Sequence, residues 1–247
     1  MAGMASAPNP ASKLRHVRPV APVIFPASEP WEEHLGQSPR HLDLCIALYR
    51  ILQRVCAPEE DAVACDQYVY WRGNDRRRCL APDAFVKLGV PDEKPDTWKT
   101  WERGVPELAV EVLSPSDTPE SLTFAEKLER YAELGVRELV CFDLDAPAGE
   151  RLRVWDRLQD DLVERVVEGE TTPCVTLGEG FTWVLAPFDR YPAALRLERN
   201  GVLVPTAEEA ERAAREAERA AKEAERAAKE AAEARVRELE AILRERG

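Results

Sequence analysis

The 247-residue chain is poor in several things, and each shortage closes off a class of protein. Histidine occurs three times, as His16, His34 and His41, too few and too scattered for a histidine-based zinc site. The six cysteines, Cys45, Cys56, Cys65, Cys79, Cys141 and Cys174, include no CxxC pair and no regular spacing. A disulfide framework is therefore not expected, and reduced thiols among apolar neighbours are. No stretch approaches the 18 uncharged apolar residues of a membrane span, and MAGMASAPNPASKLRHVRPV lacks the apolar centre of a signal peptide. The expectation is a soluble, cytoplasmic protein with no membrane partner. Positive charge is short as well: 34 Lys and Arg face 46 Asp and Glu, for a net charge of −12. Bulk charge draws such a chain neither to nucleic acid nor to an anionic membrane, so a DNA-directed role needs a local basic patch or a metal.

What is present supports a folded body. At 45% hydrophobic and 32% charged residues, the composition suits one core of roughly 150 to 200 residues with appendages. Residues 1–36 are rich in Pro, Ala and Ser and predict an extended, partly disordered arm. Ser38-Pro39 then starts a helix over about 39–55, with Leu42, Cys45, Ile46, Leu48, Tyr49, Leu52 and Val55 at helical spacing. A β-hairpin is expected from segments 62–71 and 79–88 about the Gly73-Asn74-Asp75 turn, and residues 89–105 predict a long loop. The strand PELAVEVLS (106–114) follows, then a helix from Thr118-Pro119-Glu120 to about 134 closed by Gly135, then the strand VRELVCFDL (136–144). Further strands at about 151–156 and 161–168 continue the sheet, and apolar pieces around Val175, Trp183 and Leu195 to Leu197 complete a mixed α/β body spanning 37–204.

Beyond Pro205 a seven-residue repeat takes over, EAERAAR, EAERAAK and EAERAAK from Glu209, Glu216 and Glu223. Thr206 and Glu209 form a capping box that fixes the start of a helix over 206–247. Alanines at a/d positions, then Val236, Leu239, Ile242 and Leu243, permit a coiled coil and with it a homo-oligomer. A solvated single helix held by i,i+4 Glu/Arg pairs, worth ~0.2 to 0.5 kcal/mol each, is the equal alternative.

Chemistry is concentrated in charges embedded in apolar segments. Alternation puts Leu108, Val110 and Val112 on one face of the 106–114 strand and Glu107, Ala109, Glu111 and Leu113 on the other. Glu111 is thus a carboxylate amid apolar neighbours and needs a cation, a hydrogen-bond network or a metal. Asp83, after Pro82 and heading Ala84-Phe85-Val86, is a second; if its strand lies beside 107–113, the two acids converge on an oxygen-rich site suited to Mg2+ or Mn2+. Lys127 lies at the border of the stripe Phe124, Ala125, Leu128, Tyr131 and Ala132, from where its stem can carry the ammonium towards the sheet. Two carboxylates on a divalent ion plus a lysine suit phosphodiester hydrolysis. From spacing alone, Asp83 as a turn residue, Glu111 paired with an arginine and Lys127 as a solvated helix residue stay open.

The runs CLAPDAFVKLGV, GVPELAVEVLSPSD and EKLERYAELGVRELVCFD resemble the Uma-type restriction-endonuclease family of the PD-(D/E)xK superfamily over roughly residues 38–185. The resemblance implies a restriction-endonuclease-like mixed sheet flanked by helices, with Asp83 as the PD aspartate and Glu111 as the second acid, both metal ligands. The superfamily's lysine normally lies two residues beyond the acid, where this chain has Leu113; the resemblance implies that Lys127 takes its place from the following helix. Glu107 is expected to be peripheral, and Ser114 to close the strand. The functional expectation is a Mg2+-dependent (or Mn2+-dependent) endonuclease with Asp83, Glu111 and Lys127 as catalytic residues and DNA as substrate. A basic cluster of Arg72, Arg76, Arg77, Arg78, Lys99 and Arg103 is the candidate DNA-facing patch, with an exposed basic turn as the equal alternative. The alternative is a non-catalytic scaffold that keeps the nuclease fold and assembles through 206–247; a phosphodiesterase acting on a nucleotide or RNA is the third.

Overall fold

The computed structural model describes residues 38–113 and 122–246. The expected N-terminal arm, Ser114 and the expected helix start at Thr118-Pro119-Glu120 lie outside them. Helix α1 (Pro39–Val55) begins where the sequence says it should: the Ser38 hydroxyl accepts the His41 N–H at 3.1 Å and Pro39 occupies the first turn. Its inward stripe is His41, Leu44, Cys45, Leu48, Ile51 and Leu52, whereas the expected Leu42 and Ile46 face solvent at 47% and 46% exposure. The helix is rotated from its expected phase because a histidine, which apolar counting ignores, takes a place on the buried side.

A six-stranded sheet of order β1-β4-β6-β7-β8-β9 is the centre of the fold, with β1 (Ala62–Ala64), β4 (Ala84–Lys87), β6 (Leu108–Leu113), β7 (Glu138–Asp143), β8 (Leu152–Leu158) and β9 (Asp161–Arg165). β6 and β7 run parallel, joined through helix α3 (Phe124–Leu134), and the other pairs are antiparallel. A parallel pair needs a crossover, and α3 supplies it. The expected hairpin is subdivided: β2 (Val69–Tyr70) pairs with β3 (Cys79–Leu80), while β1 pairs with β4. The expected loop at 89–105 contains β5 (Trp98–Lys99), parallel to β2, and the short helix α2 (Thr100–Arg103).

Alternation along β6 sorts the core. Leu108, Val110 and Val112 join α1 and Val86, Val140 and Phe142 on one face, while Ala109 joins Phe85, Tyr131, Leu134, Leu139 and Trp155 on the α3 face. The later apolar pieces form a separate four-stranded sheet of order β10-β11-β12-β13, from β10 (Thr171–Pro173), β11 (Phe181–Phe188), β12 (Tyr191–Arg199) and β13 (Val202–Leu203). Its Trp183, Leu195 and Leu197 pack into the α1 face of the core. Helix α4 (Ala207–Arg246) follows, and its side chains from Glu211 to Arg237 are exposed. Among the described residues, no helix is long and apolar enough to cross a membrane.

Candidate active site

Antiparallel pairing sets Ala84 opposite Val110, so one further step brings Asp83 opposite Glu111 at the end of β4. Both acids are buried, at 7% and 4% exposure. The third predicted residue reaches the same place: Lys127 Nζ lies 2.8 Å from Glu111 Oε2. Helix α3 aims it there, because the Thr123 hydroxyl and the Glu126 carboxylate form a reciprocal capping box that starts the helix at Phe124, and Lys127 N–H makes the first intrahelical bond, to Thr123 O. Gly135, left-handed at φ +100°, ends it.

Two partners escaped sequence reasoning. The Tyr131 hydroxyl donates to Glu111 Oε1, and His41 Nε2 lies 2.9 Å from Asp83 Oδ1. Tyr131 was legible in principle, since it lies four residues after Lys127 and so shares its face; its aromatic ring marked it as core instead. His41 carried no local signal, as its partner is 42 residues away. The second oxygen of Asp83 accepts Val112 N–H at 2.7 Å. Glu107 lies at the other end of β6, bonded to Lys87 Nζ at 2.5 Å and Leu88 N–H at 2.8 Å, away from this group. Gly104 lets the Lys87 stem pass, since a Cβ there would lie 2.9 Å from Lys87 Cε.

Burial pushes the Glu111 carboxyl above the ordinary carboxylate range; the Asp83 charge adds to this, and Lys127 and Tyr131 oppose it. Tyr131 is itself pushed well up, by burial and then by Glu111, so its hydroxyl stays protonated and serves as a donor. Two repelling carboxylates in a dry site are what a cation relieves. Carboxylate oxygens have lone pairs beyond those engaged by these bonds, so the pair can hold a hard, oxygen-preferring divalent ion.

Across the sheet, Glu111 registers with Cys141 and Cys141 with Arg153. Beside this row opens a cleft of about 680 Å3 lined by Leu113, Cys141, Asp143, Arg151, Arg153 and Glu164, among others. Arg153 stacks over Trp155, 4.7 Å from the ring centroid, and forms a two-bond pair with Glu164. The basic cluster read from the sequence is largely engaged elsewhere. Arg72 and Arg78 bind Glu133 on α3, Arg77 binds Asp75, Lys99 binds Glu102 and Arg103 binds Glu93. The first two tie the β2–β3 hairpin onto α3.

Comparison with known proteins gives two findings. The model of the Uma2 family, described as "Putative restriction endonuclease", matches residues 31–187. Among solved structures, "a putative nuclease belonging to DUF820 from Anabaena variabilis ATCC 29413" is similar at 13% identity, with 58% of this chain and 75% of that chain covered and a TM-score of 0.43. No curated protein matches.

Proposed function

The chain belongs to the Uma2 family, and from that premise we propose that it is a divalent-metal-dependent endonuclease that hydrolyses phosphodiester bonds in DNA. The observation that carries this reading is the meeting of Asp83, Glu111 and Lys127, distant in sequence, at one buried point. Asp83 and Glu111 would hold Mg2+ or Mn2+. Such an ion, when bound, polarises the phosphate and lowers the pKa of water. The chain's own groups do the rest. Tyr131 and Lys127 fix the orientation of the Glu111 carboxylate, and Val112 N–H and His41 fix that of Asp83. The Lys127 ammonium stabilises negative charge growing on the phosphate in the transition state. Arg151 in the adjoining cleft offers a phosphate contact to the strand being cut.

The test is nicking of supercoiled plasmid with and without Mg2+ or Mn2+ by wild type, Glu111→Gln and Lys127→Met. Both variants should lose about 100-fold or more of the metal-dependent rate while keeping the wild-type circular dichroism. Undiminished cleavage by Glu111→Gln would overturn the assignment. Absence of both cleavage and metal binding in wild type across salt and pH would favour a scaffold. Arg151→Ala should weaken DNA binding across sequences and reduce the salt slope by about 1, read by fluorescence anisotropy at several salt concentrations.

A further inference from the structure

Asp83 also belongs to a donor set of a different kind. His41 and Cys45 are one turn apart on α1 and share its buried face, at 7% and 2% exposure. One ligand atom from each of His41, Cys45 and Asp83 lies within 4.8 Å of the other two. Tetrahedral zinc, with bonds of ~2.0–2.3 Å, holds neighbouring donors roughly 3.3 to 3.8 Å apart, so the cluster needs adjustments on the order of an ångström. One nitrogen, one sulfur and one carboxylate oxygen form a mixed set that a thiolate biases towards Zn2+ and away from Mg2+. Three protein ligands leave the fourth position for water.

We propose that His41, Cys45 and Asp83 form a binding site for a thiophilic divalent metal, Zn2+ foremost, distinct in its donors from the hard-cation site and joined to it through the Asp83 carboxylate. Binding displaces the Cys45 thiol proton to solvent and leaves the remaining His41 ring proton on Nδ1, so that Nε2, sulfur and a carboxylate oxygen face the ion. A coordinated cation deprotonates the thiol. Because Asp83 serves both sites, occupancy by Zn2+ inhibits Mg2+-dependent cleavage; this consequence, unlike the site, rests on the nuclease reading.

Cobalt reports on the site without reference to activity. Full-length, reduced protein titrated anaerobically with Co2+ should develop a near-ultraviolet thiolate-to-cobalt charge-transfer band and tetrahedral d–d absorption, both abolished by added Zn2+ and not by Mg2+. Cys45→Ala and Cys45→Ser should lose the charge-transfer band, Cys141→Ala should keep it, and His41→Gln should weaken Co2+ affinity at least as much as the ~10- to 100-fold typical of outer-shell changes. No band in wild type, or a band that survives both Cys45 substitutions, overturns the proposal. An inactive protein with the cobalt spectrum intact would sink the nuclease reading and leave the metal site standing. An active nuclease indifferent to Zn2+ and without a cobalt spectrum would do the reverse.

Discussion

The Glu111 carboxylate is held by an ammonium whose side chain is 17% exposed and by the hydroxyl of a fully buried tyrosine. Removing one partner of a buried pair leaves the other charge uncompensated. Lys127→Ala should therefore destabilise the metal-free protein on the order of 3 kcal/mol, and Mg2+ should restore part of the loss; urea midpoints with and without Mg2+ check both. Tyr131→Phe loses a hydrogen bond to a charged group, about 1.5–3 kcal/mol, and as a positioning change it should lower kcat more than it raises KM. The strand acid and the lysine were visible in sequence because alternation and helical spacing are local. The residues that orient them were not. His41 is joined to Asp83 only by the packing of α1 on the sheet, and counting only apolar side chains turned α1 to the wrong phase. Tyr131 was counted as hydrophobic filling although its hydroxyl is what Glu111 requires.

Helix α3 links local sequence to chemistry through its first turn. The sequence offered Thr118-Pro119-Glu120 as a start, and the structure starts the helix at Phe124 under Thr123, whose bonds with Glu126 are reciprocal. Thr123→Ala should cost about 1 kcal/mol, and because Lys127 makes the first intrahelical bond, nuclease activity should fall by more than the stability change predicts. The α4 capping box, by contrast, was fully legible: Thr206 N–H bonds Glu209 at 2.7 Å and Glu209 N–H bonds the Thr206 hydroxyl at 3.2 Å. What sequence could not show is that the same glutamate takes two bonds, at 3.0 and 2.7 Å, from Arg196, a β12 residue only 2% exposed. Against the burial that raises it, bonds from Arg196 and Thr206 hold the Glu209 carboxyl below its ordinary value. A depressed carboxyl stabilises the fold above its unfolded pKa, ~4.3, and loses that contribution as pH falls through the lower folded value. Wild type should thus be more stable than Glu209→Gln at pH 7, with the gap closing below about pH 4, as urea unfolding at several pH values will show.

At the scale of the molecule, sequence yielded the mixed α/β class and the order of the central elements, because each central strand is a short apolar run bounded by polar or turn residues. It did not divide the strands among three sheets, a matter of long-range pairing: β2, β3 and β5 form one of their own, and β10 to β13 pair only among themselves, yet send Trp183 and Leu197 into the α1 core. The 40-residue α4 is about 60 Å long at 1.5 Å per residue. Its charges pair along the helix itself, Glu211 with Arg215, Glu218 with Lys222, Arg219 with Glu223 and Arg226 with Glu230. Such pairs suit a solvated single helix and equally the outer faces of a coiled coil. Removing residues beyond Arg215 keeps the Arg196–Glu209 anchor and should leave the melting temperature within about 2 °C of wild type, by calorimetry. A stiff rod on a rounded body also has a hydrodynamic signature. Friction grows faster than mass as a rod lengthens, so this protein will leave a sizing column ahead of globular standards that share its light-scattering weight.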